Sequence, residues 1–244
     1  MNLAIDIGNT QTKIGLFEEN ELKEVFLKED ALSEILAAHL VQYAILSKTG
    51  ASDVVEYWLS RQKNLPVMKL SDKLKLPLEN LYRTPETLGA DRLAGSVAAS
   101  SYYPQHPVLK IDFGTCITFD VVNASAQYLG GAISPGMMMR FKALHNYTSK
   151  LPLIDPMQFT QYDLTGTDTA SSILSGVVNG VVHEVEGIIN DYSQRFDNLK
   201  VVATGGDAGL FVTLLKSEIF ARPYLVLEGL NRILNYNIKG ESKS

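Results

Sequence analysis

Asp6-Ile7-Gly8-Asn9-Thr10-Gln11-Thr12-Lys13, directly after the apolar run Leu3-Ala4-Ile5, is the stretch on which the fold turns. It reads as a strand, a tight turn and a second strand. An acid at the end of a buried strand suits a hydrated magnesium ion. The Gly8-Asn9-Thr10 turn lets backbone N–H groups, hydroxyls and Lys13 close on phosphate oxygens, a cradle that a residue bulkier than glycine obstructs. An ordinary β-hairpin uses the same Gly-Asn pair, so on its own the stretch leaves a phosphate cradle and a plain turn both open.

A second copy changes the balance. Lys110-Ile111-Asp112-Phe113-Gly114-Thr115-Cys116-Ile117-Thr118-Phe119-Asp120 again carries an apolar strand end, an acid, one spacer, glycine and threonine, then β-like alternation. Two Asp-x-Gly-x-Thr corners, each opening about half the chain, point to a duplicated α/β domain with halves at residues 1–105 and 106–244. Such halves are expected to face one cleft and grip a polyphosphate from both sides.

Composition narrows the partners. At 244 residues, 45% hydrophobic and 20% charged, the chain has the make-up of a globular protein with a substantial core. A net charge of −5 and no long basic run argue against nucleic acid. The single cysteine excludes an intrachain disulfide framework and fits a reducing cytoplasm. No basic region followed by an apolar segment opens the sequence, so no export signal is expected. No apolar run approaches the roughly 18 residues that cross a bilayer, so no membrane partner is expected either.

Along the first half, the hairpin runs to residue 18 and a third strand spans 21–27; helical spacing marks 30–40, a buried strand 43–46 and a helix 52–60. Residues 65–81, with Pro66 and Pro77, read as a connector. It leads to the polar segment 82–92 and a small-residue helix over 93–103, where Ala94, Gly95, Ala98 and Ala99 permit close packing. Asp91 and Arg92 at that junction form either a plain surface pair, worth roughly 0–1 kcal/mol, or a carboxylate and a guanidinium aimed at a substrate.

The second half repeats strand-turn-strand over 108–122, with a third strand at 127–133 and a helix at 137–146. A loop covers 151–164. A helix capped by Thr167 or Asp168 runs toward Phe196, with Thr169 either part of the cap or a substrate contact. Residues 201–208 read as a buried strand ending in a Gly-Gly turn, followed by helices at 209–215 and 225–236.

Six stretches taken together resemble the type III pantothenate kinases. They are the corner from Asp6 to Lys13; Gly89-Ala90-Asp91-Arg92; Asp112-x-Gly114-Thr115-x-x-Thr118; Gly130-Gly131-x-Ile133-x-Pro135-Gly136; Thr204-Gly205-Gly206-Asp207-Ala208; and Leu227-Glu228-Gly229-Leu230, in the family's order over nearly the whole chain. The resemblance implies the superfamily of acetate and sugar kinases, heat-shock chaperones and actin: two ribonuclease H-like halves, mixed sheets flanked by helices. It implies ATP-dependent phosphorylation of pantothenate and a homodimer with the acceptor site at its interface.

Carried over by residue, the resemblance implies that Asp6, Ile7, Gly8, Asn9, Thr10, Gln11, Thr12, Lys13 and Thr115 hold ATP phosphates, with Asp6 near Mg2+. Asp91 is the implied general base, Arg92 the substrate anchor, and Tyr82, Gly89, Ala90 and Thr169 the pantothenate pocket. Asp112 is implied to bind a monovalent cation, K+ or NH4+. Phe113 and Cys116 occupy variable positions, and Asp168 stands where asparagine is frequent, with Thr167 as the fallback for Thr169. Two alternatives remain: another small-molecule kinase on this scaffold, which would lose the Gly-Ala-Asp-Arg context, and a non-catalytic nucleotide-binding regulator, which would need a recognition helix or basic arm.

Overall fold

Every residue of Asn2–Ile7 (β1) is buried, so the run before Asp6 shows no alternation: this strand is covered on both faces. The protein is described from a computed structural model covering residues 1–50, 52–71 and 74–241. After β1 come β2 (Thr12–Glu18), β3 (Glu21–Phe26), α1 (Ala31–Ala38), β4 (Tyr43–Lys48), α2 (Asp53–Ser60), β5 (Val67–Lys69), β6 (Glu79–Asn80) and α3 (Ala90–Tyr102). Then follow β7 (Val108–Phe113), β8 (Cys116–Val122), β9 (Gln127–Pro135), α4 (Met137–Asn146), α5 (Thr169–Arg195), β10 (Lys200–Thr204), α6 (Ala208–Leu214), β11 (Phe220–Ala221) and α7 (Leu225–Glu241).

The chain forms two compact units. Residues 1–108, 120–130 and 224 onward make the first; 109–119 and 131–223 make the second. The units are discontinuous, unlike the contiguous division at residue 105 expected from the repeat. The reason is that the end of β8, the start of β9 and the whole of α7 join the first unit.

In the first unit the strand order is β3-β2-β1-β4-β5, with β1 antiparallel to β2 and parallel to β4. Leu3, Ile5 and Ile7 pack with Leu32 and Ile35 of α1 and Val55 and Leu59 of α2. Ala4 and Ile45, on the other face, pack with Leu93, Ala94 and Val97 of α3 and Leu227 and Leu230 of α7. The second sheet has the order β11-β10-β7-β8-β9-β6. Apart from the edge strand β6, this is by place in each copy the order of the first sheet, as in a duplicated ribonuclease H-like fold.

Three sequence expectations are corrected. The connector 65–81 contains two short parallel edge strands: β5 pairs Val67 with Ala44, and β6 pairs Glu79 with Gln127. At three and two residues they are too short to show alternation. α3 begins at Ala90 rather than residue 93, because Gly89 is the extended N-cap and Asp91 suits the positive end of the helix dipole. Finally, α5 is long and apolar enough to cross a membrane by length and composition. Its apolar side nevertheless packs inward: Ile173, Leu174, Val177, Val178, Val181, Val185 and Ile189 are buried.

Candidate functional site

The first corner lies where β1 stops. The Gly8 N–H donates to the Gln11 carbonyl (3.2 Å), closing the turn. Thr49 and Gly50, just after β4, each donate a backbone N–H to the Ile7 carbonyl at 2.9 Å. A Cβ on Gly50 would fall 2.3 Å from the Gly8 oxygen, so only glycine lets this second turn press against the first. Asn9, Thr10 and Gln11 remain exposed on a cleft of about 720 Å³ lined by residues 8–12 and 27–30. Thr12 behaves differently: it is buried, and its hydroxyl donates to Glu29 Oε1 (2.7 Å).

Asp6, Lys13 and Ser47 are register neighbours, so all three side chains project on the sheet face covered by α3 and α7. Ser47 is fully buried, and its hydroxyl makes no hydrogen bond. A carboxylate beside an uncommitted hydroxyl is an all-oxygen donor set, which fits a hard cation such as Mg2+ whose remaining ligands are phosphate and water.

The second corner repeats this construction. Gly114 N–H donates to the Cys116 carbonyl (3.1 Å), and the Phe113 carbonyl, the counterpart of Ile7, accepts from Asp207 N–H (3.0 Å). Gly205, at φ +100°, leaves no room for a Cβ, which would sit 2.5 Å from both Asp112 Oδ1 and the Phe113 oxygen. Asp112 and Gly114 are half-buried and Thr115 is exposed. The Asp112 carboxylate and the Phe113 carbonyl, both beside Gly205, are hard oxygen donors of the kind an alkali cation takes. Burial pushes the neighbouring Asp207 carboxyl above the usual carboxylate range.

At the first turn of α3, the Asp91 carboxylate lies over Gly89, with Oδ1 2.6 Å from where a Cβ would stand. Arg92 turns inward. It is 6% exposed, and its Nε and Nη2 lie 2.9 and 2.7 Å from Oδ1 of Asp120, itself 0% exposed. The Tyr128 hydroxyl donates to the same oxygen at 2.7 Å. Burial works against the guanidinium charge, and Asp120 together with the Tyr128 and Tyr82 hydroxyls more than offsets it, so Arg92 holds its proton more tightly than usual. Burial and the same carboxylate push the Tyr128 phenol upward. The Tyr82 ring lies 5.9 Å from the Arg92 guanidinium carbon.

Thr169 is the exposed first residue of α5, and Asp168 is its N-cap, accepting from Ser171 N–H at 2.8 Å in a reciprocal capping box. Of the two expected caps, Asp168 is the one used.

The first unit thus contains Asp6 to Lys13, Tyr82 and Gly89 to Arg92, whereas Asp112, Thr115 and Thr169 belong to the second. Sequence reading missed Glu29, Ser47, Asp120 and Tyr128. Asp120 had a signal: a carboxylate between Phe119 and Val121 in an apolar strand has to find a buried partner. Glu29 had none, since Lys28-Glu29-Asp30 reads as a solvated loop.

A family model described as type III pantothenate kinase matches residues 2–191. A type III pantothenate kinase of Christiangramia forsetii is 43% identical over 243 residues, covering 97% of this chain and 99% of its own. One from Bacteroides fragilis is 44% identical over 241 residues, covering 97% and 98%. Among solved structures, a Campylobacter jejuni protein assigned to the Baf family of transcriptional activators matches with TM-score 0.62 at 21% identity, covering 97% of this chain and 99% of its own. A ROK family glucokinase of Streptomyces griseus, solved with glucose and AMPPNP, matches at 0.52 and 13%, covering 98% and 99%. At those identities the two structures speak for the fold alone.

Proposed function

The chain belongs to the type III pantothenate kinase family, and we propose that Asp91 and the corner from Asp6 to Lys13 carry its reaction. That reaction is the ATP-dependent phosphorylation of pantothenate to 4′-phosphopantothenate, the first step of coenzyme A synthesis. The observation that carries the assignment of roles is the fold of Gly89-Ala90-Asp91-Arg92. It forms the first turn of α3, with the Asp91 carboxylate seated over Gly89, in the same unit as the first corner.

Phosphoryl transfer asks for positioning and charge neutralisation more than covalent help. The exposed turn of Gly8, Asn9, Thr10 and Gln11 offers backbone and side-chain donors to the phosphates, Lys13 adds a cation, and Thr115 contributes from the second corner. When bound beside Asp6, magnesium supplies neutralisation of the β- and γ-phosphate charge. Asp91 orients the primary hydroxyl of pantothenate and accepts its proton late, when the oxygen has become acidic. Tyr82, Gly89 and Ala90 are assigned to pantothenate contact, with Arg92, whose guanidinium is held by Asp120, and Thr169 as further assigned contacts.

We assign the monovalent cation, K+ or NH4+, to Asp112. The active form is a homodimer with the acceptor site at its interface; Gly176 and Gly180 of α5, where an added Cβ would meet nothing within 4 Å, give that surface close-approach capacity. Its place is the cytoplasm, where ATP and the product's consumers are found.

Incubation with ATP, Mg2+, K+ and pantothenate is expected to yield ADP and phosphopantothenate. Asp91→Asn is expected to abolish turnover while ATP affinity stays within about a few-fold. An active Asp91→Asn enzyme, or one that loses ATP binding in parallel, removes Asp91 from the role of base. Sedimentation of a dilute, fully active sample as a monomer excludes the shared acceptor site.

A further inference from the structure

One carboxylate ties the first corner to a helix start. Glu29, in the loop between β3 and α1, accepts the Thr12 hydroxyl at Oε1 (2.7 Å) and the Ser52 hydroxyl at Oε2 (2.6 Å). Ser52 Oγ in turn accepts the Val55 N–H at 3.1 Å as the N-cap of α2. Thr12 and Ser52 are 5% and 4% exposed, so neither hydroxyl has water as an easy substitute partner.

Proton counting sets the consequence. A hydroxyl has one proton to give, and Thr12 gives it to Glu29, so a phosphate oxygen meeting Thr12 finds only lone pairs. Thr12 therefore serves the corner by being held. The holding circuit is short: Thr12 opens β2, Ser52 opens α2, and between β4 and α2 lie Thr49 and Gly50, whose N–H groups grip the Ile7 carbonyl. Glu29 also lines the cleft beside Gly8 to Thr12. A free carboxylate there would repel a triphosphate; here both of its oxygens are engaged by hydroxyls.

We propose that Glu29 is a positioning residue for ATP, fixing the Gly8–Thr12 corner in its phosphate-accepting shape through Thr12 and Ser52. The proposal rests on reading that corner as the phosphate site.

The test measures KM for ATP, KM for pantothenate and thermal midpoint in Glu29→Ala, Glu29→Gln, Thr12→Val and the Thr12→Val/Glu29→Ala double variant, with Lys13→Ala as the control on the corner itself. Glu29→Ala and Thr12→Val are each expected to raise KM for ATP about tenfold, leaving KM for pantothenate within about twofold. The double variant is expected to be no worse than the poorer single one, because the hydrogen bond that Thr12→Val removes is one of the two that Glu29→Ala already removes. Glu29→Gln keeps a carbonyl acceptor and the shape, and is expected to hold the thermal midpoint and recover most of the ATP affinity. If Glu29→Ala does not fold, Glu29→Gln carries the test with an expected rise of about threefold. The proposal is overturned if the Glu29 variants leave KM for ATP unchanged while Lys13→Ala raises it, if both KM values move together, or if the double variant multiplies the single effects. An unchanged KM for ATP in Lys13→Ala instead overturns the corner as the phosphate site.

Discussion

Arg92, Asp120 and Tyr128 concentrate their electrostatics on a single oxygen. Asp120 Oδ1 accepts hydrogen bonds from Arg92 Nε and the Tyr128 hydroxyl and has Arg92 Nη2 as an ion-pair neighbour at 2.7 Å, in a place shielded from water. Removing the acceptor's charge leaves a guanidinium buried without its partner, which costs about 3–5 kcal/mol. Asp120→Asn is accordingly expected to lower unfolding free energy in urea by that amount, and Tyr128→Phe by about 1.5–3 kcal/mol, the worth of one hydrogen bond to a charged acceptor. Asp207 provides a test of opposite kind. Burial raises its carboxyl above the unfolded value, so the folded protein binds the proton more tightly. Its contribution is therefore full below the ordinary carboxylate range near pH 4 and is lost as pH rises through the raised value. Asp207→Asn removes that titration. Its thermal midpoint, compared with wild type at pH 4, 5, 6 and 7, is expected to improve steadily toward neutral pH; a constant difference refutes the sign. Residue roles of this sort are only half visible in a sequence. Asp91 stands out because its neighbours Gly89 and Arg92 frame it, whereas the partner of Arg92 lies on another strand and is fixed only when β8 folds.

The packing of α3 against α7 is decided by one glycine. Along α3 the small residues Ala94, Gly95, Ala98 and Ala99 announce a close approach in the sequence, but nothing there says which element comes close. The answer is Gly229 of α7, whose Cβ would fall 1.8 Å from the Ala94 carbonyl oxygen. Helix propensity alone favours alanine over glycine by about 1 kcal/mol. Overpacking costs typically 1–3 kcal/mol, and here the obstruction is backbone, which cannot rotate aside. Gly229→Ala is therefore expected to be destabilising by at least about 1 kcal/mol net in urea unfolding, against the intrinsic preference. A stabilised variant means the helices separate without loss. The same pair of helices explains why the sequence pattern places the start of α3 too late: Ala90, Asp91 and Arg92 look like loop residues by polarity, yet Leu93 and Ala94 packed under α7 draw the helix forward over them.

Over the whole molecule, duplication was legible because it is written in local chemistry, an acid, a glycine and a threonine at a strand end, twice. The discontinuity of the compact units was not, because it depends on long-range returns: β8 carrying Asp120 into the first unit, and α7 coming back to cover β1 and α3. The repeat extends further than its motif, and this yields a test. Gly50 follows β4 and presses on the Gly8 carbonyl; Gly205 follows β10, which occupies the same place in its sheet, and presses on Asp112 and the Phe113 carbonyl. Each glycine shapes the corner of its own copy, and neither belongs to the motif it shapes. Alanine at 50 must displace backbone 2.3 Å away; alanine at 205 must do the same and also adopt a φ of +100°, which side chains rarely take. Both variants are expected to raise KM for ATP about tenfold or more, with Gly205→Ala also losing thermal stability. If Gly50→Ala weakens ATP and Gly205→Ala folds and binds ATP as wild type does, the second corner has kept the shape of the first without its task, and Thr115 leaves the phosphate site.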